Sequence, residues 1–86
     1  MEALMNELQA IGLSPEQKRG KVWVSGMDVS RIIDGIPVSF TRRRYSNCTF
    51  TWAIAFHAGE WKTLGDPFQC VTPSRAALSQ EISRLA

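Results

Sequence analysis

Two long stretches in which apolar and polar residues alternate constrain the fold of this chain most strongly. From Pro37 to Arg44, Val38 and Phe40 point to one face, and from Cys48 to His57 four large apolar residues alternate with threonine and alanine. A period of two residues is typical of a β-strand with one buried face. Because three residues separate the stretches, they predict a long antiparallel β-hairpin.

The length of the connecting loop decides which side chains share a face. A two-residue loop at residues 46–47 would place Phe40 opposite Ala53, with the large apolar side chains of the two strands on opposite faces. A sheet with a one-sided core does not permit this, because a shift of one residue moves every side chain to the other face. The sequence therefore predicts a three-residue loop over residues 45–47, with Phe40 opposite Trp52.

This predicted register also assigns a face to each of the hairpin arginines. Arg42 lies opposite Phe50 and Arg44 opposite Cys48, at the end of the core face, while Arg43 points to the other face. The last loop position requires a left-handed backbone, which asparagine tolerates. That residue is Asn47, and the predicted core face of the hairpin consists of Phe40, Phe50, Trp52, Ile54 and Phe56.

Helical patterns are found at both ends of the chain. Near the N-terminus, apolar residues at helical spacing precede Gly12, a residue typical of a helix end. They are Leu4, Leu8 and Ile11, with Met1 and Met5 on or near the same face. Near the C-terminus, Thr72 is the predicted N-cap and Pro73 the first helical residue. The apolar face of that helix consists of Leu78, Ile82 and Leu85, aided by Ala77.

The segments between the N-terminal helix and the hairpin are short. Ser14 and Pro15 predict one helical turn before Gly20, and residues 21–25 alternate as a short strand. Asp34-Gly35 favours a second hairpin turn, and the alternative is a short helix from Asp28 to Gly35. Ala58-Gly59 predicts a further turn. Together these elements predict an α+β fold with a three- to five-stranded antiparallel meander and the C-terminal helix packed on one face.

Length and composition indicate one small domain over residues 1–86. Hydrophobic residues make up 44% of the chain, as in ordinary globular proteins. The first residues contain two glutamates and no long apolar stretch, so we expect no signal peptide, no membrane association and a cytoplasmic location. Cys48 and Cys70 lack metal-ligand spacing and are expected to be buried free thiols, with a structural disulfide as the alternative.

Positive charge is concentrated in the first half of the strand region. Residues 16–44 contain seven lysines and arginines against three acidic residues, although the net charge of the chain is +2. Such an asymmetry indicates an anionic partner. The alternative is a solvated strand end whose charges discourage aggregation. The candidate nucleic-acid-binding residues are Arg42, Arg43, Arg44, Tyr45 and Asn47 at the hairpin tip, with Ser46 adding a hydrogen bond, and Lys18, Arg19 and Lys21 upstream.

No motif for catalysis, cofactor binding or metal binding is present, and we expect a non-enzymatic protein. His57 is the sole histidine, and its spacing from the two cysteines is not that of a metal site. Trp23 and Trp61 are either core residues or platforms for base stacking, and Trp52 is expected in the core. Two functions remain open: a small accessory protein that binds nucleic acid, or a protein-binding module or inhibitor that contacts an acidic surface or dimerises through a sheet edge or helix face.

Overall fold

The computed structural model describes residues 2–85 and confirms the α+β fold, with a helix at each end and antiparallel strands between them. Met1, predicted to lie near the apolar face of the first helix, is outside the described residues. The strands are divided between a three-stranded and a five-stranded sheet. The elements in chain order are α1 (Glu2–Ala10), β1 (Glu16–Lys18), β2 (Lys21–Val24), β3 (Met27–Val29), β4 (Arg31–Ile33), β5 (Ile36–Tyr45), β6 (Cys48–His57), β7 (Glu60–Thr63), β8 (Phe68–Gln69) and α2 (Arg75–Ser83).

Helix α1 ends just before Gly12, the residue that predicted its end. The amide of Gly12 donates to the carbonyl of Gln9 at 3.0 Å, and the amide of Leu13 donates to the carbonyl of Leu8 at 3.1 Å. This pair of bonds is a Schellman motif, and it needs the left-handed backbone of Gly12, whose φ is +90°. The predicted core residue Ile11 is 45% exposed, because it lies at this turn.

The three-stranded sheet replaces the helical turn predicted after Ser14. Strands β1, β2 and β3 pair consecutively, with Lys18 opposite Lys21 and Val24 opposite Met27. Two-residue turns join them, and both residues of each turn have positive φ. These turns are Arg19-Gly20 and Ser25-Gly26, and they have the backbone twist that two-residue hairpins favour. The alternation of Val22 and Val24, both buried, confirms the predicted strand, which ends at Val24, one residue before the predicted end.

The five-stranded sheet is built on the β5–β6 hairpin. Strands β4, β5, β6 and β7 follow one another in the sheet. Strand β8 also pairs with β6, at Phe50 and Thr51, which are closer to the β5–β6 turn than the residues that pair with β7. Asp34-Gly35 forms the β4–β5 turn and Ala58-Gly59 the β6–β7 turn, again with positive φ at all four residues. The hairpin prediction at Asp34 is confirmed, and its helical alternative is wrong.

The predicted register of the β5–β6 hairpin is wrong by one residue. Tyr45 pairs with Cys48, so the loop has two residues, and Phe40 lies opposite Ala53 rather than Trp52. Asn47 does not have the positive φ that the three-residue loop required. The one-sided core assumed for that prediction does not exist, because both faces of the five-stranded sheet are covered over part of its area.

Helix α2 packs on one face of the five-stranded sheet, where the side chains of the sheet are small. Ala53 and Ala55 are fully buried on this face together with Val38. They pack with Leu78 and Ile82 of α2, with Phe40 and Leu85 at the margin. The predicted packing of the C-terminal helix on one face is confirmed, but alanines of β6 rather than its aromatic residues face that helix. The helix is capped by Ser74, whose hydroxyl accepts a 3.1 Å hydrogen bond from the Ala77 amide, and not by Thr72.

The opposite face carries Phe50, Trp52 and Phe56, and we call it the aromatic face. It is covered at one end by α1 and the three-stranded sheet. Leu8, Val22, Val24 and Val29 form a second buried cluster, against which Ile32 and Trp61 pack. At the margin of this cluster, the Phe56 and Trp61 rings are 5.1 Å apart. The other end of the face, toward the hairpin turn, contains the remaining aromatic residues of β6.

Candidate nucleic-acid interface

The tip of the β5–β6 hairpin extends beyond both clusters of buried residues. Strand β5 is buried or half-buried from Ile36 to Phe40 and exposed from Thr41 to Tyr45. The turn at Ser46-Asn47 is exposed as well. All five predicted tip residues are therefore accessible to a partner: Arg42, Arg43, Arg44, Tyr45 and Asn47.

The three arginines project from both faces of the hairpin. Arg43 pairs across the strands with Phe50, whereas Arg42 pairs with Thr51 and Arg44 with Thr49. Paired residues of an antiparallel ladder share a face, so Arg43 lies on the aromatic face and Arg42 and Arg44 on the face that carries α2. This reverses the predicted assignment, in which Arg42 was opposite Phe50, and follows from the two-residue loop.

Within residues 2–85, no carboxylate forms an ion pair with the arginines at the tip. Among residues 2–85 the ion pairs join Lys18 to Glu16, Lys21 to Asp28 and Arg84 to Glu81, and none includes Arg42, Arg43 or Arg44. Three adjacent exposed guanidinium groups therefore create a local positive potential, which attracts anions. Arginine also presents several N–H donors in a planar arrangement that fits phosphate oxygens.

Beyond Val38, the outer edge of β5 has no strand partner among the described residues. Strand β4 pairs with β5 up to Val38, while β6 pairs with β5 along its other edge as far as Tyr45. The free edge borders a cleft of about 490 Å³, which we call the edge cleft. It is lined by Leu4, Gly20, Lys21, Val22, Asp28, Val29, Ser30, Phe40 and Arg42.

Arg42 lies where the edge cleft adjoins two smaller clefts. These have volumes of about 220 and 270 Å³, and Arg42 and Thr51 line both. Arg31 contributes to the first of them, with its guanidinium 5.5 Å from the centre of the Phe40 ring. Cations and hydroxyl groups thus border the free edge of β5 on both sides, an arrangement that suits backbone contacts to a charged polymer.

Of the upstream candidates, Lys21 alone lines a cleft together with a tip arginine, Arg42. Lys21 lines the edge cleft with Arg42, and its Nζ is 3.5 Å from a carboxylate oxygen of Asp28. Lys18 lies over the ring of Trp23 and 4.0 Å from Glu16. Arg19 is exposed in the β1–β2 turn. Neither Lys18 nor Arg19 lines the three clefts that Arg42 borders.

Trp23 and Trp61, the two stacking platforms considered from the sequence, make other contacts in the structure. Trp61 packs against the buried cluster around Leu8, and the indole of Trp23 donates a 3.1 Å hydrogen bond to the Lys18 carbonyl. Trp52, expected in the core, is half-buried on the open part of the aromatic face. Its position beside Arg43 and away from α2 follows from the two-residue register, in which Trp52 lies opposite Thr41 and not Phe40.

The structure also bears on the predictions about the cysteines, a metal site and membrane association. Cys48 and Cys70 are free thiols, but neither is buried as predicted: Cys48 is half-buried and Cys70 is exposed. Within residues 2–85, no three His, Cys, Asp or Glu side chains come together as metal ligands. Neither nine-residue helix in the described part of the chain has the length and apolar character needed to cross a membrane.

Comparison with known proteins identifies no relative: no family model, curated protein or solved structure matches this chain. A functional assignment therefore depends on the chain's own geometry. The feature with the most specific chemistry is the hairpin tip, where exposed arginines lie next to clefts, hydroxyl groups and aromatic rings.

Proposed function

We propose that the protein is a non-enzymatic accessory protein that binds nucleic acid through the tip of its β5–β6 hairpin. The observation that carries this proposal is the unneutralised charge of Arg42, Arg43 and Arg44, which are exposed and have no carboxylate within 4.0 Å among the described residues. Phosphate groups supply the closely spaced negative charge that such a cluster attracts.

The geometry of the tip supports contacts to the phosphate backbone on both faces of the hairpin. Arg42 and Arg44 can contact phosphates on the face of α2, and Arg43 can do so on the aromatic face. Lys21 adds a cation to the edge cleft, where Asp28 lies 3.5 Å from its ammonium group. Tyr45, Ser46 and Asn47 add neutral hydrogen-bonding groups at the turn.

Lys18 and Arg19 have a lesser part in this proposal. They lie near the β1–β2 turn and line none of the three clefts that Arg42 borders. A cluster of charges positions a nucleic acid without reading its sequence, so we expect weak sequence selectivity and a strong dependence of affinity on salt.

The free edge of β5 favours a second candidate function, the binding of an acidic protein segment. An extended segment can add to an exposed sheet edge through main-chain hydrogen bonds. Acidic side chains on that segment would lie next to Arg42 and Arg44. Pairing with a second copy at this edge would bring the arginines of both copies together, and like charges across paired strands are destabilising.

The test is fluorescence anisotropy with labelled 20-mer DNA and RNA, single-stranded and duplex, at two salt concentrations. We expect binding at low salt that weakens as salt rises. The triple variant Arg42→Ala/Arg43→Ala/Arg44→Ala should lose most of this affinity. Its matched control is Lys62→Ala/Arg75→Ala/Arg84→Ala, which removes the same charge from the other half of the chain.

The outcomes separate the two functions. A loss in the tip variant with little loss in the control supports a nucleic-acid interface at the tip. Equal losses in both would indicate that net charge, and not the tip, determines binding. An absence of binding by the native protein even at low salt would contradict the proposal, and an acidic partner at the β5 edge would then be the function to test.

A further inference from the structure

We infer that the ring ladder formed by Tyr45, Phe50 and Trp52 stacks on unpaired bases, so that the ligand of the hairpin tip is single-stranded nucleic acid. The Tyr45 and Phe50 ring centres are 5.5 Å apart, and those of Phe50 and Trp52 are 6.4 Å apart. This inference rests on the proposed function, because it specifies which form of nucleic acid the tip binds.

The ring ladder lies on the part of the aromatic face outside both clusters of buried residues, where Phe50 and Trp52 are half-buried. Closer to the base of the hairpin, Ser39 is fully buried beneath the three-stranded sheet and donates a hydrogen bond to Asp28 at 3.2 Å. Past Ser39, the residues of β5 on this face are exposed, and Tyr45 has 48% of its surface accessible. The cover provided by the three-stranded sheet thus ends where the ladder begins.

Charge on this face favours a nucleic acid over a purely apolar partner. Arg43 lies directly opposite Phe50, between the other rings of the ladder. It borders a cleft of about 250 Å³ that has no acidic residue in its lining. The lining consists of Thr41, Arg43, Tyr45, Trp52, Ile54 and Thr63.

A cation and aromatic rings on one surface match the two parts of an unpaired nucleotide. The base can stack on a ring, and the phosphate can accept hydrogen bonds from the guanidinium of Arg43. The Thr41 and Thr63 hydroxyls add hydrogen-bonding groups without charge. A second copy of the chain fits less well, because ladder-to-ladder contact would bring two basic tips together.

Double-stranded nucleic acid does not present the surfaces that the ladder requires. In a duplex the faces of the bases are covered by their neighbours, whereas unpaired bases can be splayed apart and stacked on aromatic side chains. A two-stranded ribbon of this kind can instead enter the major groove of duplex DNA. That mode of binding uses the arginines and leaves the rings without a role. The experiment must therefore distinguish duplex binding in the major groove from stacking of unpaired bases on the ladder.

The experiment compares binding of the full chain to fluorescein-labelled single-stranded 20-mers and to the matching duplex at low salt. We expect the single strand to bind at least about tenfold more tightly and to quench tryptophan fluorescence. Tyr45→Ser and Trp52→Leu should each weaken single-strand binding by about 5- to 100-fold, with little effect on duplex binding. Phe68→Leu is the control, because it removes a ring that packs on the opposite face of the same sheet, against the cluster beneath α2, and that lines none of the clefts beside Arg42 or Arg43.

Trp52→Phe provides a readout that does not depend on loss of folding. This variant keeps a ring, so it should retain most of the affinity for the single strand while losing most of the fluorescence quenching. Trp23→Phe should retain the quenching, because Trp23 belongs to the other sheet. Circular dichroism and denaturant melts of each variant verify that it is folded.

The results distinguish a failure of this inference from a failure of the proposed function. If duplex binds as tightly as single strand, and the ladder variants bind like the native protein, the ladder does not stack on bases although the tip still binds nucleic acid. If no nucleic acid binds, the proposed function and this inference are both overturned. Selective single-strand binding that the ladder variants weaken, with quenching that depends on Trp52, supports the inference.

Discussion

Ser39 of the hairpin is joined to Asp28 of the three-stranded sheet by a hydrogen bond between the serine hydroxyl and a carboxylate oxygen, at 3.2 Å. Ser39 is fully buried, whereas the Asp28 side chain is 32% exposed and also lies 3.5 Å from Lys21. The contact connects the two sheets at the point where cover of the aromatic face ends. It therefore helps to position the edge cleft relative to the hairpin tip.

Removing the two partners of this bond should have unequal effects on stability. We expect Asp28→Ala to lower the free energy of unfolding by about 1–3 kcal/mol, because it leaves the buried Ser39 hydroxyl without its acceptor. Ser39→Ala should cost about 1 kcal/mol, because the partly exposed carboxylate keeps water and Lys21 as partners. Asp28→Asn keeps an acceptor and should recover most of the loss.

Urea denaturation of the native protein, the three single variants and the Ser39→Ala/Asp28→Ala double variant measures these effects. The double variant should lose less than the sum of the single losses, because the two residues share one interaction. Strictly additive losses would mean that the bond does not connect the sheets energetically.

The face of β6 that packs under α2, with Ala53 and Ala55, should tolerate no larger side chain. Ala55 is fully buried beneath α2, so Ala55→Leu should destabilise the protein by about 1–3 kcal/mol through overpacking. Ala76→Leu is the control. Ala76 is exposed on α2, so this substitution should change the free energy of unfolding by no more than about 0.5 kcal/mol. Thermal or urea melts give the comparison. A harmless Ala55→Leu would instead favour the three-residue loop, which places Ala55 away from the helix.

The end of α1 and the β4–β5 turn illustrate what the sequence does specify. The spacing of Leu4 and Leu8 before Gly12 predicted α1 and its end, because a Schellman motif depends on local residues alone. Asp34-Gly35 predicted a turn for the same reason. Arg19-Gly20 and Ser25-Gly26 were missed, since arginine and serine have no strong preference for the positive φ that they adopt here.

The register of the main hairpin could not be obtained from local pattern, because it depends on what covers each face. With one covered face, large apolar residues of both strands would have to share it. Here α2 covers the alanine face and the three-stranded sheet covers part of the other. The candidate arginines were found from the sequence, but the face of each one, and the exposure of Trp52, depended on that register.

The β6–β7 turn offers a stabilising substitution. Ala58 has a φ of 53°, a left-handed conformation that its Cβ disfavours, and Gly59 follows it. Ala58→Asn creates the Asn-Gly pair preferred in two-residue turns and should raise the free energy of unfolding by about 1 kcal/mol. Ala58→Val should lower it, because a β-branched side chain is more strained at positive φ. Denaturant melts that show the opposite order would contradict the conformation of this turn.

Single substitutions at the tip should show which arginines contact phosphate. If each neutralises one phosphate of a single strand, Arg42→Ala, Arg43→Ala and Arg44→Ala should each reduce the slope of log affinity against log salt by about 0.7. All three side chains are exposed, so stability should change by less than about 0.5 kcal/mol. The measurement is a set of binding isotherms with a labelled single-stranded 20-mer at four salt concentrations.

Lys21 and Arg75 provide the comparison for these slopes. Lys21→Ala should reduce the slope by less than a tip arginine does, because Asp28 already lies 3.5 Å from the Lys21 ammonium in the free protein and competes with phosphate. Arg75→Ala, at the start of α2, should leave the slope unchanged. A normal slope in every tip variant, combined with a reduced slope for Lys21→Ala, would place the phosphate contacts in the edge cleft and away from the turn.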